Sequence, residues 1–312
     1  MVVKNKKGIF FLMLTLIIIS LFLLSVTFFS EVALRKSVQK RVETLSDFVK
    51  ATEDDLPRQL FITGFRTVFV VQRNIVASGN YPSETVEETF KEAFFNGTVE
   101  GNAEPILFGA TYDDLVSDVQ SRAREISADV QFSNASVSLS QEDPWNIKID
   151  FVAGFYASDI NHLASWNKTL HSVSYIRISN FSDPLYLLNG FQERKIIETP
   201  YLNFPSELQQ HVGDCGAECS YYMARVGAPS FIDRLEGNYL VLKYPNEGIE
   251  SLVYFPAFPN PPGPPYNSRS VVDYLYFNDP TSGDCSLPGV YSWFWLDTEH
   301  LDDYGFTLSD CS

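Results

Sequence analysis

Positive charge is scarce in this chain of 312 residues. Its 23 lysines and arginines stand against 39 aspartates and glutamates, for a net charge of −16. A field of that sign repels phosphates and argues against nucleic acid as a partner. Histidine is scarcer still: His162, His171, His211 and His300 lie far apart, and none has ligand or triad spacing. H-E-x-x-H, G-x-S-x-G, a P-loop and a G-x-G-x-x-G following a strand are all missing, so the chemistries they carry are not announced. The chain reads as non-enzymatic, with no cofactor and no metal implied. One route to catalysis stays open, a serine, a histidine and an aspartate brought together only by the fold.

Charge of either sign is absent from Ile9 to Phe29. As a helix rising ~1.5 Å per residue this run covers about 30 Å, the hydrocarbon thickness of a bilayer. A secretion signal has a shorter apolar region of about 7–15 residues and then a small-residue cleavage site. Here the run leads through "SVTFFSE" into a charged helical pattern. A single membrane span over 9–29 is therefore expected. Lys4, Lys6 and Lys7 on its short side place the N-terminus in the cytoplasm. The few residues inside hold no output domain, and the bulk is expected outside the cell. That outer part keeps 20 basic against 39 acidic side chains, read as a soluble surface with calcium capture or a saline habitat as alternatives.

Four cysteines, Cys215, Cys219, Cys285 and Cys311, lie in the last hundred residues. An even number outside a membrane reads as two disulfides. The pairing Cys215–Cys219 with Cys285–Cys311 is expected, and the two other connectivities stay open. A zinc site at Cys215-x-x-x-Cys219 lacks a second half of matching spacing. Asn96, Asn134, Asn167 and Asn180 each open an N-x-S/T sequon suited to glycosylation of an exported chain.

Periodicity divides the rest. Val38, Val42, Leu45 and Val49 continue a helical face beyond the apolar run, so one helix is expected over 9–53, stopping at "TEDDLP". A second, capped by Asp54 or Asp55 with Pro57 in its first turn, shows Leu56, Leu60, Phe61, Phe65, Val68 and Phe69 as its apolar face. Shorter helices follow, near 84–95 and after a capping box at Thr111-x-x-Asp114. From Asp129 the period becomes two, in "DVQF", "SVSL", "NIKIDFVAGFY" and "HSVSYIRISN". Helices first and strands afterwards predict an α+β fold with an antiparallel sheet. The expected layout is a basic leader (1–8), the long helix (9–53), an α+β head (54–212) and a β-rich disulfide module (213–312). In that module "CSYYMARV", "YLVLKY", "IESLVYF", "SVVDYLYF" and "GVYSWFWLD" read as strands, and the proline-rich "FPAFPNPPGPPY" reads as a stiff polyproline loop.

Two stretches bear on ligands. Asp297, Glu299, Asp302 and Asp303 cluster as calcium would ask, but they match the calcium-loop pattern poorly, so a solvated acidic turn is favoured. Tyr291, Trp293 and Trp295 share a face at strand spacing, which reads as core ahead of a sugar-stacking platform or a protein interface.

Lys6-Lys7-Gly8, the apolar helix and the outer head together resemble archaeal type IV pilin-like proteins with a class III leader. The resemblance implies cleavage between Gly8 and Ile9, a cell-surface location, and pilin-like or other surface proteins as partners. Pilins usually carry glutamate at the fifth mature position, where this chain has Met13. That departure favours a tip, minor or merely anchored subunit. "LFITGFRTV", "DPLYLLNG" and "APSFIDRLEGN" are also similar to archaeal surface proteins, a likeness that brings no activity with it. The function expected is a membrane-anchored structural or adhesion component, and the alternative is a tethered module that binds a glycan or a protein.

Overall fold

The computed structural model describes residues 6–191, 193–213, 221–257, 269–278, 283–287 and 289–312. Its first element, α1, runs unbroken over Lys6–Ser78 and carries Pro57 inside it. The expected stop at "TEDDLP" does not occur. An internal proline removes one backbone hydrogen bond and crowds the carbonyl four residues back, which costs about 3 kcal/mol. An uninterrupted inward face outweighs that cost. Leu45, Val49, Thr52, Leu56, Leu60, Thr63, Thr67 and Val71 are all buried, at steps of three or four that pass through the proline. Three of these are threonines, which hide the face from a hydrophobicity pattern. Their hydroxyls donate to carbonyls one turn back, Thr52 to Phe48 (2.9 Å), Thr63 to Gln59 (3.1 Å) and Thr67 to Thr63 (2.9 Å). Phe61, Phe65 and Phe69, expected inward, are exposed.

Helix α2 (Val86–Asn96) starts at a capping box of Thr85 and Glu88 and ends at Gly97, whose φ of 69° suits glycine. A short hairpin of β1 (Thr98–Val99) and β2 (Asn102–Ala103) follows. Helix α3 (Tyr112–Glu125) opens on the box read from sequence, with Thr111 and Asp114 exchanging hydrogen bonds. Strands β3 (Ala128–Asp143), β4 (Asn146–Asp159) and β5 (Ser165–Arg177) form one sheet in that order. The two-residue link at Pro144 and Trp145 can join β3 to β4 only antiparallel. Burial alternates along β5 and along β4 up to Ala157, and along β3 on either side of Ser133 and Asn134, two successive exposed residues at which the inward parity switches.

Beyond the sheet the elements are short: α4 (Pro184–Leu188), β6 (Ile197–Glu198), α5 (Leu208–Gly213), β7 (Tyr221–Ala224), α6 (Phe231–Glu236), β8 (Ile249–Ser251), α7 (Asp273–Asn278), β9 (Cys285–Ser286) and β10 (Trp295–Leu296). Strand β7 pairs parallel with β6 and antiparallel with β8, and β9 pairs antiparallel with β10. The fold is α+β, as expected, but the C-terminal part is not the five-stranded unit read from its sequence. "YLVLKY" has no strand partner because the Asp233 carboxylate takes the amides of Lys243 (2.9 Å) and Tyr244 (3.3 Å). Leu240 and Val241 are left 84% and 83% exposed. "SVVDYLYF" divides: Val272 bridges Leu252, and Asp273 then opens α7. "GVYSWFWLD" contributes only Trp295 and Leu296 to a strand.

The residues cluster into two compact units. One comprises α1 up to Asp55, Ser117–Asn134 and Ala153–Leu170. Within it Arg41 donates to the Ile126 carbonyl (3.1 Å) and lies 3.6 Å from Asp159, Arg122 pairs with Asp55 (3.1 Å), and Phe132 meets Phe155 edge-on. The other comprises Leu56–Val116, Ala135–Val152 and the chain from His171. There α1 lies close on the sheet at Gly64. A Cβ at this position would sit 2.2 Å from Ile149 Cδ1 and 2.5 Å from Ile176 Cδ1. Phe94 packs on Phe151 and Tyr112 in the same unit.

Candidate functional site

Two places carry chemistry that a folded domain does not ordinarily need, the first turns of α1 and a set of buried charges in the C-terminal part. In α1 the large apolar side chains from Phe10 to Phe29 are 43% to 74% exposed. Water penalises each of them, at about 25 cal/mol per Å² of apolar surface. Most of the hydroxyls along this stretch and just after it donate inside the helix. Thr15 donates to the Phe11 carbonyl (2.8 Å), Ser20 to Ile17 (2.9 Å), Thr27 to Leu24 (2.8 Å) and Ser30 to Thr27 (2.8 Å). A helix whose backbone and most hydroxyls are paired internally presents a mainly hydrocarbon surface, which a bilayer interior demands. Helix α1 is long and apolar enough to cross a membrane once.

The C-terminal part buries ions. Arg234 on α6 donates through Nη1 to Asp183 (2.6 Å) and to Asp273 (2.9 Å), through Nη2 to Asp273 (3.2 Å) and to the Ile249 carbonyl, and through Nε to the Pro229 carbonyl (3.4 Å). Asp183 also accepts from Tyr222 (2.9 Å) and caps α4 at the Leu185 amide (2.9 Å). Asp273 accepts the hydroxyl (2.8 Å) and amide (3.2 Å) of Ser251. Burial pushes the Asp183 carboxyl up despite the guanidinium beside it. One planar cation with every donor used thus joins α4, α6, β7, β8 and the start of α7.

A second cluster does unite a serine, an aspartate and a histidine. His300 Nδ1 meets Asp297 at 2.6 Å, and Ser270 donates to the other Asp297 oxygen at 2.8 Å. Nucleophilic catalysis needs the serine on the distal imidazole nitrogen. Here His300 Nε2 instead faces the Tyr274 hydroxyl (3.1 Å) and Glu250 (3.4 Å), so Ser270 is not activated. Burial alone would push the His300 imidazole down, but hydrogen bonds to Asp297 and Glu250 outweigh it and lift its pKa to about 10. His300 is a buried cation held between two carboxylates. His211 is the opposite: its Nδ1 meets Thr199 Oγ1 at 2.8 Å, and burial pushes its pKa down to about 4. His171 pairs with Asp150 on the surface, and His162 is exposed.

The acidic stretch is dispersed. Asp297 belongs to His300 and Ser270, Asp303 pairs with Arg225, and Glu299 and Asp302 face solvent. Among the described residues no three His, Cys, Asp or Glu side chains converge on a metal-sized point. Tyr291 and Trp293 stack face to face at 4.8 Å, half-buried, with Trp293 edge-on to Tyr254 and Phe255. Cys285 and Cys311 are joined in a disulfide. Cys215, Cys219 and most of the proline-rich loop lie outside the described residues. Asn96, Asn134, Asn167 and Asn180 are all exposed. Gly8 and Ile9 sit within the first turns of α1.

A groove of about 620 Å³ escaped the sequence reading because its walls come from separate segments. The end of α1 (Asn74, Ile75, Ser78), the following turn (Asn80, Tyr81) and the β1–β2 hairpin (Glu100, Asn102) line it. Thr89, also in its wall, is buried, and its hydroxyl has no hydrogen-bond partner among the described residues. No family model, curated protein or solved structure matches the chain.

Proposed function

We propose that this chain is a membrane-anchored, pilin-like cell-surface protein with a structural or adhesive role and no catalytic one. The observation that carries the reading is α1. Its exposed apolar turns continue without interruption into turns that are buried on one face, so anchor and folded part share one helix. The outward orientation of the bulk rests on the Cys285–Cys311 disulfide, which belongs to an oxidising compartment. Exposure of all four sequon asparagines agrees with that side of the membrane. A prepilin-type peptidase is expected to cut between Gly8 and Ile9. Mass spectrometry of the native N-terminus tests this: Ile9 supports the pilin-like reading, whereas Met1 or a residue beyond Phe29 refutes it. A reporter active only in the cytoplasm, fused after Ser312, is expected to be silent.

The groove favours a second reading, a tethered module that binds a glycan. Amides at Asn74, Asn80 and Asn102 and the carboxylate of Glu100 suit sugar hydroxyls, and the Tyr81 ring offers a stacking face. A thermal-shift screen against neutral oligosaccharides separates the readings, since a true ligand stabilises in proportion to its concentration over Kd. No shift with any of them removes the glycan reading.

A further inference from the structure

Four basic residues follow the apolar run within a dozen positions: Arg35, Lys36, Lys40 and Arg41. Arg41 is engaged with Ile126 and Asp159. Arg35, Lys36 and Lys40 are exposed and form no ion pair among the described residues. In a chain whose acidic side chains outnumber basic ones 39 to 23, these cations could readily have been neutralised. Instead they are gathered on two turns of one helix. Lys36 and Lys40, one turn apart, stand on the face opposite Val38 and Val42.

Their height along the helix indicates what they meet. At ~1.5 Å per residue, Arg35 and Lys36 stand about 9–10 Å beyond Phe29 and Lys40 about 16 Å. Lys7 to Arg35 measures about 42 Å by the same rise, against a bilayer of about 40–45 Å with its headgroups. The apolar run then fills the hydrocarbon, and the headgroup layer beyond it is about 5–7 Å deep, so the long side chains of Arg35 and Lys36, rooted just past that layer, reach back into it. Lys40 reaches back toward that layer along its flexible apolar stem. We propose that Arg35, Lys36 and Lys40 form a cationic collar that binds anionic lipid headgroups in the leaflet from which the folded part emerges, and so sets the depth of α1. This rests on the membrane-anchor reading above. Lipid is the fitting occupant because an acidic face of a second copy would have to enter the headgroup layer to reach Arg35. The collar also balances the leader lysines, three before the run against four basic residues after it, which corrects the orientation read from Lys4, Lys6 and Lys7 alone and leaves it resting on the Cys285–Cys311 disulfide. Cleavage after Gly8 would remove Lys4, Lys6 and Lys7 and leave the collar as the nearest band of basic side chains, with the new Ile9 ammonium at the other end of the run.

The test uses the full chain and the triple variant R35Q/K36Q/K40Q in vesicles of phosphatidylcholine with a minor fraction of phosphatidylglycerol. Flotation is read first, and both proteins are expected to float with or without the anionic lipid. Electron spin resonance then compares spin-labelled phosphatidylglycerol with phosphatidylcholine in the ring around the helix. Wild type should enrich the anionic lipid roughly tenfold, an enrichment that salt weakens and the variant loses. A floating wild type without enrichment, or a variant that keeps it, overturns the collar and leaves the anchor standing. A wild type that does not float overturns the anchor itself. Salt-sensitive dimers in pure phosphatidylcholine that the variant abolishes would give the collar to a second copy and overturn the lipid assignment.

Discussion

Arg234 shows how much one side chain holds in the C-terminal part, where strands of two to four residues supply little backbone pairing. Removing one partner of a buried ion pair leaves the others charged and dry, which costs about 3–5 kcal/mol. Arg234→Met is therefore expected to lower stability by about that much in denaturant titration. Arg234→Lys should recover only part of the loss, because an ammonium cannot span Asp183 and Asp273 as the planar guanidinium does. A loss under 1 kcal/mol for Arg234→Met would show that the network contributes specificity and not stability. Close backbone approach makes a second residue-scale prediction. A Cβ on Gly248 would stand 2.1 Å from the Ala228 carbonyl oxygen, which cannot turn aside, whereas at Gly64 it meets the ends of two isoleucines that can. Gly248→Ala should cost more than about 2 kcal/mol and clearly more than Gly64→Ala, where gained helix propensity of about 1 kcal/mol offsets part of the clash. Equal melting temperatures for the two variants would contradict that ranking. At this scale the sequence was legible where a rule is local. The Thr111–Asp114 box could be read directly, but the partners of Arg234, Asp183 and Asp273, some 40 to 50 positions away, could not.

Helix α1 is the element on which sequence and structure part most clearly. Proline punctuates a chain by local sterics, yet packing on one long face overrides it at Pro57. Pro57→Ala should then stabilise the protein by about 1–3 kcal/mol, because the amide it restores can bond the carbonyl one turn back. Hydrogen exchange should slow over the neighbouring turns. A destabilised variant would mean that the proline shapes a bend the packing requires. Strands β3 to β5 were readable because one buried face imposes alternation over many residues, interrupted in β3 only where the parity switches at Ser133 and Asn134. The apolar runs after Gly213 are too short to distinguish a strand from one helical turn by period, so α7 and the bends at "YLVLKY" were missed.

For the whole molecule, two buried histidines limit stability from opposite sides. His211 has its folded pKa depressed from 6.5 to about 4. Its contribution is present above pH 6.5 and is lost as pH falls through about 4. His300 has its folded pKa raised from 6.5 to about 10. Its contribution is full below pH 6.5 and is lost as pH rises through about 10. Stability in detergent solution is thus expected to peak near pH 6.5. His211→Leu should flatten the acid limb, and His300→Gln should flatten the alkaline one. Denaturant midpoints measured across that range check both, and an unchanged alkaline limb in His300→Gln would remove the imidazolium from the account.

What the amino-acid order determined by itself were the features that depend on near neighbours or on composition: the apolar span, the acid excess, the Thr111–Asp114 cap, the period-two sheet and the α+β class. What only tertiary structure decided were the features that depend on residues far apart in the chain. Long-range packing carried α1 through Pro57, the side-chain carboxylate of Asp233 displaced strand pairing at Lys243 and Tyr244, and the Asp297–His300 pair received Glu250 where a nucleophile would have stood. The first is a matter of apolar packing; the other two share a physical reason. A backbone amide, a guanidinium or an imidazole takes whichever partner the fold brings within about 3 Å, and that choice is not written in the residues beside it.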